Sequence, residues 1–183
     1  MLDGGGVQDL TRNLDKYRRP VTKSLRDKGK YPYFGANGIQ DWVADYIFDG
    51  DFLLIGEDGS VINSDRTPVL NWASGKVWIN NHAHVLEAIE DKCHLRFLFH
   101  YLKTVDISQF VTGGTQPKLN QKNLNSIPVP LLPLEEQKRF ANILDKFDAL
   151  VSDISVGLPA ELAARRKQYE FYREKLLSFE GSF

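Results

Sequence analysis

The chain has 183 residues, 42% hydrophobic and 11% aromatic, with a formal net charge of −1. That is enough apolar material for one compact domain with an appendage, so global disorder is excluded. The near-neutral balance excludes a surface that is basic throughout, but not a partner of one charge, because the charges are segregated. Eight basic residues stand against Asp15 and Asp27 between Arg12 and Lys30, then seven acidic residues and no lysine or arginine lie between Asp41 and Asp65.

In chain order, the opening MLDGGG reads as a flexible leader over 1–6. From there to Pro133 short β-type runs alternate with turn signals, and the segment 7–133 is expected to form one α+β domain rich in strand. Strands are predicted near Asp51–Gly56, Ser60–Ile62, Val69–Ala73, Lys76–Ile79 and Ala83–Leu86. Asp49-Gly50, Asp58-Gly59 and Ser74-Gly75 are read as the turns between such runs. Leu95, Leu98, Phe99 and Leu102 keep helical spacing and predict a helix over Cys93–Lys103.

After Pro133 the period changes to that of long helices, giving a second region over 134–183. Phe140, Ile143, Phe147, Leu150 and Ile154 are spaced 3-4-3-4, a heptad seam on a helix predicted over about 134–156. Glu135 and Glu136 occupy its first turn, where carboxylates suit the helix dipole. Gly157 and Pro159 then separate it from a second helix over about 160–179, with a seam through Leu162, Tyr169, Tyr172 and Leu176. At ~1.5 Å per residue the first helix is about 34 Å long, and its stripe needs another long helix to cover it. That helix comes either from a fold-back hairpin or from a second chain.

The stretch GGTQPKLNQKNLNS, Gly113 to Ser126, carries two lysines, five side-chain amides and no acid. Amides both donate and accept, which suits base edges, while lysines suit phosphates and guanine. Gln116, Lys118, Asn120, Lys122 and Asn123 are therefore candidate DNA-binding residues, with the lysines placed on phosphate. The alternative is that the amides satisfy loop backbone. A second candidate surface is the basic segment where Arg18, Arg19, Lys23, Lys28 and Lys30 interleave with Tyr33 and other tyrosines. Asn37, in the turn-like YFGANG, is a further candidate.

Three long strings, KYPYFGANGIQDWVADYIFDGDFLLIGEDGSVI, GGTQPKLNQKNLNSIPVPLLPLEEQKRFANILDKFDALV and GLPAELAARRKQYEFYREKLLSF, resemble the DNA-specificity subunit of type I restriction-modification systems. The resemblance covers about Val7 to Phe179. It implies a target-recognition domain followed by long helices that set the spacing between half-sites and dock methyltransferase subunits. The usual subunit has two such domains, so this chain resembles half of one, either a natural half-length form or an excised piece. Two copies on a twofold axis would then read a palindromic, interrupted site. The partners implied are double-stranded DNA, the modification subunits, the restriction subunit through the complex, and a second copy.

Catalysis is not expected from these residues. No Asn/Asp-Pro-Pro-Tyr/Phe string, Gly-Lys-Ser/Thr loop or glycine-rich cofactor loop occurs, and no cofactor is expected. Glu57 and Asp58 are adjacent and read as a tight turn with a buried acid rather than a metal pair. A single cysteine, Cys93, excludes an internal disulfide and fits a cytoplasmic location. With His82, His84, His94 and His100 it makes a zinc site conceivable, but no metal is expected. No signal peptide or apolar run of about 18 residues is present, so no membrane span is expected. Two competing functions are an assembly or decoy protein that docks methylase chains without reading DNA, and a metal-dependent nuclease.

Overall fold

The computed structural model describes residues 4–157 and 167–168. Contacts divide the chain into two units, the first ending at Ala141 and the second beginning at Asn142.

The first unit is α+β. Its strands are β1 (Gly4–Gly6), β2 (Thr11–Asn13), β3 (Lys28–Gly35), β4 (Gly38–Val43), β5 (Phe48–Gly56), β6 (Leu70–Ile79), β7 (Ala83–Ala88) and β8 (Pro128–Pro130). Its helices are α1 (Val7–Leu10), α2 (Leu95–Leu102), α3 (Gln121–Asn125) and the start of α4 (Leu134–Gly157). Six strands form a mixed sheet in the order β2-β7-β5-β6-β3-β4, antiparallel except where β3 runs parallel to β6. Strand β1 pairs with β8 in a separate ribbon.

The alternation along β5 explains why both faces of the sheet are covered. Leu53 and Ile55 point into one core, shared with Val7, Leu86, Leu98, Leu119 and Leu124 from the helical side. Phe52 and Leu54 point into a second core with Phe34, Val77, Ile79 and Val85, supplied mainly by strands. Side chains alternate faces along a strand, so one run of four apolar residues feeds two cores.

Several expectations are corrected. Gly4–Gly6 are not a free leader, because they pair in register with Pro128–Pro130. Asp49-Gly50 and Ser74-Gly75 are not turns. They lie inside β5 and β6 with Gly50 facing Gly75, and eight cross-strand pairs from Phe48↔Val77 to Ile55↔Leu70 outweigh the local turn signal. The two runs expected at Val69–Ala73 and Lys76–Ile79 are thus one strand. Ser60–Ile62 forms no strand beyond a bridge from Ile62 to Pro68.

Helix α4 starts after Pro133, but the first unit extends beyond 133. Gln137 is fully buried; its side chain accepts from the His94 N–H at 2.8 Å and donates to the carbonyls of Lys92 and Leu132 at 2.8 and 2.9 Å. Ala141 is buried too. These contacts tie the first two turns of α4 to the globular unit. In the second unit, Ile143, Leu144, Phe147 and Leu150 are exposed, as is Phe140 just before it. Ile154 lies on α4. Leu162, Tyr169, Tyr172 and Leu176 lie outside the described residues, as does most of the second predicted helix.

Candidate nucleic-acid interface

The amide-rich stretch is a built loop, not a linker. Thr112 and Lys118 exchange backbone hydrogen bonds at 2.8 and 2.7 Å, which closes Gly113–Pro117 into a tight turn. Gly113 sits at φ 81°, and a Cβ there would come within 2.5 Å of the Gln116 carbonyl, so the turn needs glycine. The loop docks on the chain after β5. The Gly59 N–H donates to Pro117 O at 3.3 Å, and the Leu119 N–H donates to Glu57 O at 2.9 Å.

Next, Asn120 caps α3: its Oδ1 accepts from the Asn123 N–H at 2.9 Å. The Asn123 side chain in turn donates to Phe110 O at 2.7 Å. Two of the five amides are therefore used on backbone, which is why this stretch holds one turn of helix where the sequence suggested a loop. Gln116, Lys118, Gln121 and Lys122 remain exposed.

A polar cluster under the loop ties it to the sheet. The His84 side chain is 1% exposed, with Nδ1 at 2.6 Å from Asp15 Oδ2 and Nε2 at 2.7 Å from Leu119 O. Arg18 donates to Glu57 Oε2 at 2.6 Å and to Ala83 O at 2.7 Å, and its Nη2 lies 3.4 Å from Asp15. Lys118 Nζ reaches Glu57 Oε1 at 3.8 Å. Burial by itself would raise the Asp15 pKa. The His84 bond and charge, the Val85 N–H and the Arg18 charge outweigh it and hold the carboxyl below its usual value.

Against the sequence expectations, this geometry separates the cations. Arg18 and Lys118, a hundred residues apart, meet on Glu57. Arg18, however, is only 12% exposed and neutralises internal carboxylates, so it is a structural cation rather than a surface contact. Tyr33 is also removed from the candidate surface. It is 1% exposed, with its hydroxyl on the backbone of Val21 and the Arg26 guanidinium 4.0 Å from its ring centroid. Arg19 and Lys23 are exposed on the strap between β2 and β3, which is held by Trp78 Nε1 donating to Arg19 O at 2.7 Å. Lys28 and Lys30 lie on β3, and Asn37 is exposed in the turn between β3 and β4.

The imagined zinc set is not assembled. Among the described residues, the potential ligands that converge are Asp15, Glu57 and His84, whose ligand atoms lie within 4.8 Å of one another. Arg18 already supplies cationic charge there, and both His84 nitrogens are engaged. Burial pushes the Cys93 thiol up to about 12, which makes it a poor ligand and nucleophile.

Sequence reasoning passed over Gln40, Asn80 and Asn81, which line a cleft with His82 and Arg26 beside the strap. The string Asn80-Asn81-His82 was the available signal. Gln40 gave none, because its place depends on an irregularity in strand pairing.

Residues 7–164 match the family described as the type I restriction modification DNA specificity domain. The chain belongs to this family. It is 40% identical to a putative type I restriction enzyme specificity subunit of Haemophilus influenzae, over 98% of this chain and 48% of that one. A 68-residue part is 47% identical to the EcoR124I/EcoR124II specificity subunit of Escherichia coli, covering 37% of this chain and 17% of that one. The specificity domain also shares its fold with the S subunit of M. genitalium, at a TM-score of 0.67 and 19% identity, over 100% of this chain and 47% of that one. The HsdS subunit of Thermoanaerobacter tengcongensis gives a TM-score of 0.56 at 18% identity, covering 94% of this chain and 44% of that one. The chain spans about half the length of the H. influenzae, M. genitalium and T. tengcongensis subunits.

Proposed function

We propose that this specificity domain is a non-catalytic DNA-recognition unit that reads one half of a split site. The observation that carries the reading is the Gly113–Asn125 stretch. It is locked to the sheet through Glu57 and His84, yet it leaves Lys118, Lys122 and Gln116 facing solvent. A rigid scaffold presenting cations and amides is what positioning on phosphates and reading of bases require. Arg19 and Lys23 extend this surface, and Lys28, Lys30 and Asn37 form its outlying part on the β3–β4 hairpin.

We assign the reading head to the first unit, which ends at Ala141, and the spacer role to the part of α4 beyond it. The exposed stripe Phe140, Ile143, Phe147 and Leu150 supports a role for α4 in association. It would pair with a second copy on a twofold axis and recruit the methyltransferase subunits, and through them the restriction subunit. Catalysis belongs to those chains, and such an assembly works in the cytoplasm. Among the described residues, no helix is long and apolar enough to cross a membrane.

Duplex binding by the full chain, with and without methyltransferase subunits, tests the reading across a range of salt. Lys118→Ala with Lys122→Ala should weaken binding to all sequences and lower the slope of log K against log salt by roughly 2, about 0.9 per phosphate contact. A double variant with the parent's affinity and slope refutes the phosphate role. Complexes that form with methyltransferase subunits but select no motif would leave the docking role alone.

A further inference from the structure

Resting on the DNA-recognition reading, we infer that Gln40 and His82, both held by Asn80, form a pair that reads the major-groove edge of a purine. The two side chains combine exposure with fixed geometry, which the surface lysines do not. Gln40 is the extra residue of a bulge in β4: Tyr33 pairs with Asp41 and Phe34 with Ile39, which leaves Gln40 unpaired. Bulges at sheet edges re-aim a side chain. Here the carboxamide is laid across Gly35, where a Cβ would come within 2.2 Å of Gln40 Nε2. Asn80 Nδ2 donates to Gln40 Oε1 at 3.3 Å.

Asn80 is itself 3% exposed and bonded through both ends of its carboxamide. Its backbone N–H donates to Phe34 O at 3.0 Å, and its Oδ1 accepts from the His82 N–H at 2.8 Å. The His82 ring, half exposed, is aimed by a hydrogen bond between Nδ1 and Asp58, leaving Nε2 as the nitrogen available to a partner. Asp58 forms a β-bridge with Lys118. The candidate phosphate lysine therefore stands next to the candidate base readers, the arrangement in which backbone contacts set register and neighbouring side chains read edges.

The cleft they line holds about 410 Å³, with Asn81, Thr22 and Arg26 on its walls. Gln40 keeps both amide protons and one lone pair for a ligand, the donor–acceptor pattern that matches adenine N7 and N6. Asn80 and Asp58 act as positioning residues; Gln40 and His82 touch the base.

Sequencing of duplexes selected from a random pool by the full chain, alone and with methyltransferase subunits, tests this. Gln40→Ala and His82→Ala should each lose about tenfold preference at one base pair, the two positions identical or adjacent, while the salt slope stays at the parent value. Gln40→Glu should move the preference at that position from adenine toward cytosine, since a carboxylate only accepts. Both sites are exposed, and an unchanged near-UV spectrum shows that each variant is folded. Folded variants that select the parent motif with the parent's preference overturn the inference while leaving DNA reading intact. A parent chain that binds duplex but selects no motif overturns both.

Discussion

His82 lies in the turn before β7 and His84 two residues on, within the strand, and removing each should cost the fold very different amounts. His84→Ala deletes a side chain that is 1% exposed and bonded at both ends, to Asp15 at 2.6 Å and to Leu119 O at 2.7 Å. Hydrogen bonds to charged groups contribute ~1.5–3 kcal/mol each, and a carbonyl left buried without a partner costs ~1–3 kcal/mol. Asp15 keeps the Val85 N–H and Arg18, so part of that sum is recovered. The expected net loss is about 3–5 kcal/mol. The His82 side chain is 50% exposed, and water replaces it readily at Asp58, so His82→Ala should cost under ~1 kcal/mol. All three tryptophans, Trp42, Trp72 and Trp78, lie in the first unit and report its unfolding in urea. With a slope of about 2 kcal/mol per molar urea, the midpoint should fall by roughly 2 M for His84→Ala and by less than ~0.5 M for His82→Ala. A double cycle with Asp15→Asn should show a coupling of at least ~1 kcal/mol. Midpoints that agree within ~0.5 M, or additive effects in the cycle, would refute a structural role for the cluster.

Two further outcomes follow from the same geometry. Gly113→Ala places a Cβ within 2.5 Å of a carbonyl at φ 81°; it should destabilise the fold by ~1–3 kcal/mol and weaken duplex binding by reshaping the Lys118 turn, checked by urea unfolding and titration. Cys93, raised to about 12 from 9.0, binds its proton more tightly in the folded state, so its contribution is complete below pH 9 and is lost as pH rises from 9 toward 12. The urea midpoint should fall above pH 9, less steeply in Cys93→Ala, and the thiol should resist alkylation at pH 8 until the chain is unfolded.

Elements written as local apolar pattern were legible in the sequence. The strands around Leu53 and Val85 and the helix through Leu98 carry their burial in their own spacing, and so does the change of period after Pro133. The β3–β4 hairpin was not legible, because the glycines, proline and lysines in KGKYPYFG hide a strand whose support comes from β6 forty-five residues on. The opposed pair Gly50 and Gly75 was misread for the same reason: a turn signal is local, and the pairing that overrides it is not. For the candidate site, composition picked out the Gly113–Ser126 stretch but could not sort its members. Asn120 and Asn123 resemble Gln116 in composition, and only the fold shows that the first two are tied to backbone. Arg18 resembles Arg19, and its neutralising partner Glu57 lies thirty-nine residues away.

That sorting bears on how a chain with a net charge of −1 and a pI near 6.4 would present a face to a polyanion, as the proposed function requires. The acids nearest the loop are Asp15, Glu57 and Asp58, and each is matched by a cation or a histidine: Arg18 and His84 on the first, Arg18 and Lys118 on the second, His82 on the third. Carboxylates whose charge is met at contact distance project little field outward, particularly at physiological salt, where screening sets in beyond ~8 Å. On the proposed reading, the exposed Lys122, Arg19 and Lys23 would be the charges a phosphate meets first, with Lys118 held close by on Glu57. Removing Arg18 would take one cation from each of two carboxylates beneath the loop, leaving Asp15 with His84 and Glu57 with Lys118. It would thus harm duplex binding through repulsion, although Arg18 itself touches no phosphate.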